Sequence, residues 1–250
     1  MAAGVLRIGD TGLAGSVTAQ EIHFNKSNSQ IIADFTDNSV LGAMITGTGS
    51  VKKSGVGTLI LGGANTYSGT TNIDGGILRA GSVNTFSTNS AHVVFGSGVL
   101  DLNDFNQGIG SLAGSGTVGL GSATLTTGAD NSDTSFSGLI QGTGQLIKTG
   151  TGTFTLTGNN IHTGGTAISA GTLVAKHADG SGVIDALGTG MVTLNGADCI
   201  LQQEIPRSTA ILLPAVQRAR SVRRRAPNYG STAQVASVFL PARRFGDRCS

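Results

Sequence analysis

The chain has no tryptophan, and phenylalanine and tyrosine together supply only 4% of its 250 residues. Charged residues make up 12%, about half of the usual share. This composition argues against a helical globule. Disorder is also disfavoured, because it needs low hydrophobicity and a high net charge, whereas the mean hydropathy is +0.13 and the net charge is +2. Short strands joined by glycine-rich turns fit the composition best.

Cysteine and long apolar runs are also scarce. The two cysteines are Cys199 and Cys249, and residues 1–198 contain none. An extracellular protein without cysteine is held together by regular hydrogen bonding and not by disulfides. No run of about 18 apolar residues predicts a membrane-spanning helix. The N-terminus lacks the basic region and apolar core of a signal peptide, so we expect this chain to carry no export signal of its own.

Glycine, proline and arginine divide the chain into two parts. Glycine is abundant, and 38 of its 40 copies precede residue 200, whereas all four prolines and nine arginines follow it. One fold rarely changes composition so sharply. We therefore predict a body at residues 1–198 and a separate tail at residues 199–250. A basic tail could bind nucleic acid or anionic lipid, but a disordered or frameshifted end is favoured, and no nucleic-acid partner is expected.

An internal repeat organises the body. Residues 47–81 and 142–176 align at an offset of 95 without a gap, and they are identical at 16 of 35 positions. Apolar and polar residues alternate within each copy, which predicts strands near residues 50–53, 58–61, 70–74 and 77–80 and at the equivalent positions of the second copy. Asn65 and Asn160 are predicted to occupy turns, and their side chains could bond along a stack of coils.

Short strands of this kind, at roughly three for every twenty residues, predict an all-β solenoid. Each coil cannot bury its inner face alone, and stacking of coils about 4.8 Å apart creates one continuous core. The fold class that we predict is a right-handed parallel β-helix followed by an irregular or disordered tail.

The repeated run resembles the autotransporter-associated β-strand repeat. Both copies carry Gly-x-Gly-x-Leu/Val-x-Lys-x-Gly-x-Gly-Thr, followed by a Leu-x-Gly-x-Asn segment, and the similarity extends over roughly residues 1–198. The resemblance implies a passenger region of a type V secreted protein, displayed on or released from the outer membrane. It further implies repeats that aid export and folding, a role in adhesion or virulence, host surface or matrix molecules as partners, and a β-barrel translocator in the parent protein.

Two glycine-rich segments invite comparison with nucleotide-binding loops. Residues 114–119 match G-x-G-x-x-G, but a dinucleotide site needs this motif between a strand and a helix, and no helix is predicted after it. Residues 142–149 resemble a phosphate loop faintly, but Ile147 replaces the required glycine. We interpret Lys148, and its counterpart Lys53, as exposed residues of the repeat, and we predict no cofactor.

The acidic residues and histidines predict no catalytic or metal site. His23, His92, His162 and His177 lack the spacing of metal ligands, and His162 aligns with Tyr67 as a variable turn residue. The pairs Asp101/Asp104 and Asp130/Asp133 are interpreted as solvated turn acids, although loop oxygens also suit calcium. We predict that the chain is not an enzyme. Two alternatives stay open, namely a β-helix polysaccharide-active enzyme acting through Asp101 or Asp104, and a truncated, non-functional gene product.

Overall fold

A computed structural model describes residues 4–9, 15, 17–177 and 185–203. The described residues form 23 short strands and one turn of 3-10 helix, Asp185–Leu187 (η1), with no α-helix among them. All strand pairs are parallel, with partners about twenty residues apart. One sheet is much longer than the others and is called the long sheet. Its ten strands are, in spatial order, β1 (Val5–Ile8), β3 (Gln30–Asp34), β6 (Ser50–Ser54), β8 (Thr71–Ile73), β10 (Ala91–Val94), β13 (Ser111–Gly114), β16 (Thr134–Phe136), β19 (Thr153–Leu156), β21 (Thr172–His177) and β23 (Asp198–Gln203).

Two further sheets and one strand pair complete the described fold. The second sheet contains β4 (Asn38–Leu41), β7 (Thr58–Leu61), β9 (Gly76–Ala80), β11 (Gly98–Asp101), β14 (Thr117–Gly119) and β17 (Leu139–Gln141). The third sheet contains β12 (Gln107–Ile109), β15 (Leu125–Thr127), β18 (Leu146–Lys148), β20 (Thr166–Ile168) and β22 (Val192–Leu194). The pair consists of β2 (Glu21–Phe24) and β5 (Met44–Gly47).

The chain visits the sheets in a fixed order, which makes the fold a three-sided solenoid. It passes from the long sheet to the second sheet, then to the third sheet, and returns to the long sheet one coil further on, as in β13, β14, β15 and β16. Each strand lies beside the strand of the next coil, so every sheet is parallel and is covered on its inner face by the other two. The predicted all-β parallel solenoid is confirmed.

The core is built from columns of aliphatic side chains that stack along the solenoid. In the second sheet, Leu59, Leu78 and Leu100 occupy the same register position on neighbouring strands and are 0% exposed. Val118 and Ile140 continue this column with the same burial. Because successive strand residues point to opposite faces, the alternation seen in the sequence directly produces a buried inner column and a solvated outer one.

The predicted strand positions in the repeats are confirmed, whereas the predicted end of the body stays a prediction. Strands β6, β7, β8 and β9 lie within two residues of the expected positions. The last described strand, β23, pairs with β21 through Asp198–Gln203 and therefore crosses residue 198. Residues 204–250, which include Cys249 and most of the predicted tail, lie outside the described residues.

The two repeats occupy different faces of the solenoid. The first copy begins with β6 in the long sheet, whereas the second begins with β18 in the third sheet. Four full coils separate β6 from β16, and β18 lies two faces beyond β16, so the offset of 95 residues corresponds to four and two-thirds coils. The two related sequences therefore form the same structure on different faces, which shows that the repeat is a local module of about two coils.

Close contacts between coils explain part of the glycine content, and Gly57 gives a testable case. A Cβ added there would lie 1.9 Å from the carbonyl oxygen of Asp37 on the preceding coil. We expect Gly57→Ala to lower the free energy of unfolding by about 1–3 kcal/mol, because the ladder spacing leaves the coils no room to separate. Gly96→Ala is the matched control, since nothing lies within 4 Å of its added Cβ. Urea unfolding followed by circular dichroism measures both, and an equal loss in the control would contradict the steric explanation.

Candidate functional site: the buried polar clusters of the repeats

Lys53 lies inside the solenoid, which contradicts its predicted exposure. Its side chain is 0% exposed, and its ammonium donates hydrogen bonds to the carbonyl oxygens of Ser54, Gly55 (3.0 Å) and Gly75 (3.4 Å). The acceptors come from two successive coils, so one ammonium ties the coils together at their corner. The charge also lies 5.1 Å from the centroid of the Phe35 ring, within the range of a cation–π interaction.

Lys148 repeats this arrangement on another face of the solenoid. It is 1% exposed, and its ammonium donates to the carbonyl oxygens of Thr149, Gly150 (3.0 Å) and Ala170 (3.4 Å). The interpretation of Lys148 as an exposed residue of the repeat is therefore wrong. Its donors already point at backbone carbonyls inside the protein, and an ammonium used in this way cannot reach a phosphate at the surface.

Burial lowers the pKa of both lysines, although carboxylates oppose the shift. Removal from water lowers the pKa of Lys53 from 10.5 to about 8, and the negative charge of Asp34 raises it in part. Burial likewise lowers the pKa of Lys148, opposed by Asp133 and Asp130. The three carbonyl acceptors explain why a charged group is tolerated here, since a buried charge without partners would be far more costly.

Asn65 and Asn160 bridge three coils each. The side-chain oxygen of Asn65 accepts from the backbone N–H of Ile45 (2.7 Å), and its amide donates to the carbonyl of Thr85 (2.7 Å). Asn160 makes the equivalent bonds to Ile140 (2.7 Å) and Ala186 (2.6 Å). Both are buried, and neither has the positive φ expected of a left-handed turn residue. The predicted bonding along the stack is present, but its partners are backbone groups.

Tyr67 and His162 fill equivalent buried positions in the connections that precede β8 and β20, so the variable residue at this position belongs to the core. The hydroxyl of Tyr67 lies 2.5 Å from that of Thr71, which lies 2.8 Å from that of Ser90. Ser90 donates to the carbonyl of Gly69 (2.7 Å). The hydroxyl of Tyr67 therefore donates to that of Thr71, which in turn donates to that of Ser90. His162 Nε2 lies 2.9 Å from the hydroxyl of Thr166, and this contact corresponds to the one between Tyr67 and Thr71.

The two buried histidines each have one ring nitrogen without a partner among the described residues. His92 Nδ1 lies 3.0 Å from the carbonyl of Ser90, so it carries the proton, and Nε2 has no partner. Thr166 donates to the carbonyl of Leu187, so His162 Nε2 is the donor and Nδ1 has no partner. Burial lowers the pKa of His92 to about 4 and lowers that of His162 as well. Both rings are therefore neutral in the folded chain at pH 7.

The glycine motif and the acidic pairs do not converge on a site. Residues 114–119 run from the end of β13 into β14, so the motif joins two strands. Asp101 pairs with Arg79 (2.7 Å), whereas Asp104 accepts the backbone N–H and hydroxyl of Ser122 (2.7 and 3.0 Å). Asp130 and Asp133 also accept hydrogen bonds, from Ser111, Ser132 and Thr153.

A metal site is also not formed by the described residues. Within residues 4–9, 15, 17–177 and 185–203, no three residues of the types His, Cys, Asp or Glu are grouped to hold a metal ion. Of the four histidines, His23 lies exposed on β2, whereas His92 and His162 point into the core. The acidic pairs form hydrogen bonds and a salt bridge with neighbouring coils, so their role in the described structure is to stabilise the fold.

A shallow depression lies on the surface of the described residues, at the corner between the long and second sheets. Its volume is about 450 Å³, and glycines at positions 75 and 76 leave the corner of one coil without side chains. Val56 and Ser97 on the flanking coils form its walls. No titratable pair suited to catalysis lines it. Within the described part of the chain, no helix is long and apolar enough to cross a membrane.

These features define a parallel β-solenoid that carries two copies of one buried polar module. Both copies match the Passenger-associated-transport-repeat family, at residues 51–80 and 146–175. The predicted resemblance to an autotransporter passenger region is thereby confirmed. The chain is 37% identical over 164 residues to the adhesin BmaC autotransporter of Brucella suis biovar 1 (strain 1330). That match covers 63% of this chain and 5% of the relative, so the chain spans a small part of that protein. No solved structure matches the chain.

Proposed function

We propose that this chain is a surface-displayed segment of an autotransporter passenger that acts in adhesion and has no catalytic role. The similarity to an adhesin over 164 residues of the solenoid carries this proposal. The outer membrane or the extracellular space is the location that follows, and host surface or matrix molecules are the partners. The use of the acids, the buried lysines and the buried histidines in structural hydrogen bonds supports a non-enzymatic role.

The repeats have a distinct part in the proposal, which is to support folding after export. Lys53 and Lys148 join neighbouring coils, and Asn65 and Asn160 each join three. Each repeat therefore forms its polar contacts within a few coils and needs no distant part of the chain. In a solenoid, stability is a sum of local terms and neighbour interfaces, so such a module can fold as soon as its coils have emerged from the membrane.

Display on a non-adherent laboratory bacterium tests the proposal. The 250-residue chain, joined to a β-barrel translocator, should increase binding several-fold to cultured epithelial cells or to immobilised fibronectin or collagen. Excess soluble chain should abolish this gain. The double variant Lys53→Met, Lys148→Met should reduce the amount of protease-resistant chain at the surface and reduce binding in proportion, whereas Lys52→Met should match the wild type. Equal surface display without added binding to any of the three probes would refute the adhesive role.

A further inference from the structure

The outer face of the second sheet has an unusual distribution of side chains. Two outward columns run across its six strands, and one of them contains no charged residue: Asn38, Thr58, Ile77, Val99, Thr117 and Leu139. The second column consists of Val40, Ile60, Arg79, Asp101, Gly119 and Gln141. Val40 is 59% exposed. Five of these twelve residues are aliphatic and only two are charged, a composition that suits a contact surface.

The two charges of this face are opposite in sign and lie at its centre. Arg79 and Asp101 are register partners on β9 and β11, which are the third and fourth of the six strands. Arg79 Nε lies 2.7 Å from Asp101 Oδ2, and both side chains are partly exposed, at 35% and 24%. Uncharged strands flank this pair on both sides. When the order of the strands is reversed, each charge therefore takes the position of the opposite charge, so the reversed pattern is complementary to the original one.

Such a pattern fits a second copy of the same face. We propose that two copies of this chain associate through the outer faces of their second sheets, around a two-fold axis that is parallel to the strands and passes between β9 and β11. This rotation reverses the strand order and keeps the position along the strand. Arg79 of each copy then faces Asp101 of the other, as an isologous interface requires.

The facing side chains of the four central strands also agree with this arrangement, whereas the two outermost strands set Val40 against Gln141 and Asn38 against Leu139. The same rotation places Ile77 opposite Val99, so apolar residues meet beside the charged pair. It places Ile60 opposite Gly119, where the missing side chain leaves room for the larger one. Thr58 faces Thr117, which are polar and similar in size. No charge faces a like charge, which would cost affinity and specificity.

The area of the face predicts a weak association. Six strands about 4.8 Å apart, each contributing about four residues, cover on the order of 400 Å² per copy. A standard stable interface buries about 800 Å² per partner. We therefore expect a dissociation constant in the micromolar to millimolar range. Many copies facing one another on opposing surfaces would still gain strength through multivalency. The inference does not depend on the adhesive role toward host molecules.

Charge reversal with mixing tests this proposal. The variant Arg79→Asp carries two acids at the centre of the face, and Asp101→Arg carries two basic groups. Each alone should weaken self-association by about tenfold or more in sedimentation velocity, because the facing charges repel. An equimolar mixture should associate again, since acids then face basic groups. The salt bridge within one copy cannot be restored by mixing, so recovery reports only the contact between copies.

A matched pair on the long sheet supplies the control. Lys52 and Asp74 form an exposed salt bridge of 2.7 Å, and Lys52→Asp and Asp74→Lys should leave self-association unchanged, alone or mixed. Circular dichroism verifies that each variant is folded. The unaltered chain provides a measure that needs no substitution. A chain that stays monomeric up to about 1 mM, or single variants that associate as the wild type does, would overturn the proposal, and so would failure of the mixture to recover.

Discussion

Replacing Lys53 by methionine should lower the free energy of unfolding by about 2–3 kcal/mol. The three carbonyl oxygens that accept from its ammonium would converge at a buried corner without a donor, and each unsatisfied buried group costs about 1–3 kcal/mol. Release of the buried charge offsets part of this loss. A water molecule cannot easily take the place of the ammonium, because the methionine side chain would fill most of the same space.

The neighbouring lysine provides the control for this experiment. Lys52 is exposed and forms a surface salt bridge with Asp74, and surface pairs contribute about 0–1 kcal/mol. Urea unfolding of Lys53→Met, Lys52→Met and the wild type measures the difference. The two substitutions remove the same charge from adjacent residues, so their net-charge effects are equal. If Lys53→Met were as stable as Lys52→Met, the hydrogen bonds of the Lys53 ammonium would not stabilise the contact between coils.

The lowered pKa of Lys53 gives the same variants a second readout. The pKa is about 8 in the folded chain, so between pH 8 and 10.5 the unfolded state binds more protons than the folded state. Stability rises with pH wherever this is so. The wild type should therefore gain stability over this window relative to Lys53→Met. Below pH 8 the lysine is charged in both states, and the difference between the two proteins should stay constant.

Much of the fold follows from period-two alternation, as β6 and β18 illustrate. In β6, Val51 and Lys53 are separated by one residue and are both buried, and the same holds for Leu146 and Lys148 in β18. The alternation therefore contained the signal that both lysines point inward. Sequence analysis missed it because lysine is rarely buried. The carbonyl acceptors explain why lysine is tolerated there, and one of the three lies on the next coil, 22 residues away.

Contacts between coils account for the other differences from the sequence-based predictions. Asn65 has the residue type of a turn, yet its partners are the backbone groups of Ile45 and Thr85, twenty residues away in each direction. Tyr67 and His162 differ in chemistry but share the hydrogen bond to a threonine four residues later. The outer face of the second sheet could not be assembled from the sequence, since it requires the register of six strands.

Acidification from pH 6.5 to pH 4 should remove about 3 kcal/mol of stability through His92 alone. Its pKa falls from 6.5 to about 4 on folding, mainly because burial disfavours the charged ring. Over this window the unfolded state binds a proton that the folded state does not, so stability declines as the pH falls. Below pH 4 both states are protonated, and this contribution levels off.

His92→Gln isolates the effect, because glutamine is uncharged at every pH and can still donate to the carbonyl of Ser90. The quantity to compare is the change in unfolding free energy between pH 7 and pH 4, which is insensitive to any constant cost of the substitution. His23→Gln, at an exposed position of β2, keeps His92 intact. This variant should therefore still lose the stability that depends on His92 when the pH falls. His162→Gln should also flatten the profile, since burial lowers the pKa of that ring too. If His92→Gln loses as much stability as His23→Gln on acidification, the ring of His92 is hydrated in solution and the orphaned nitrogen has found a water partner.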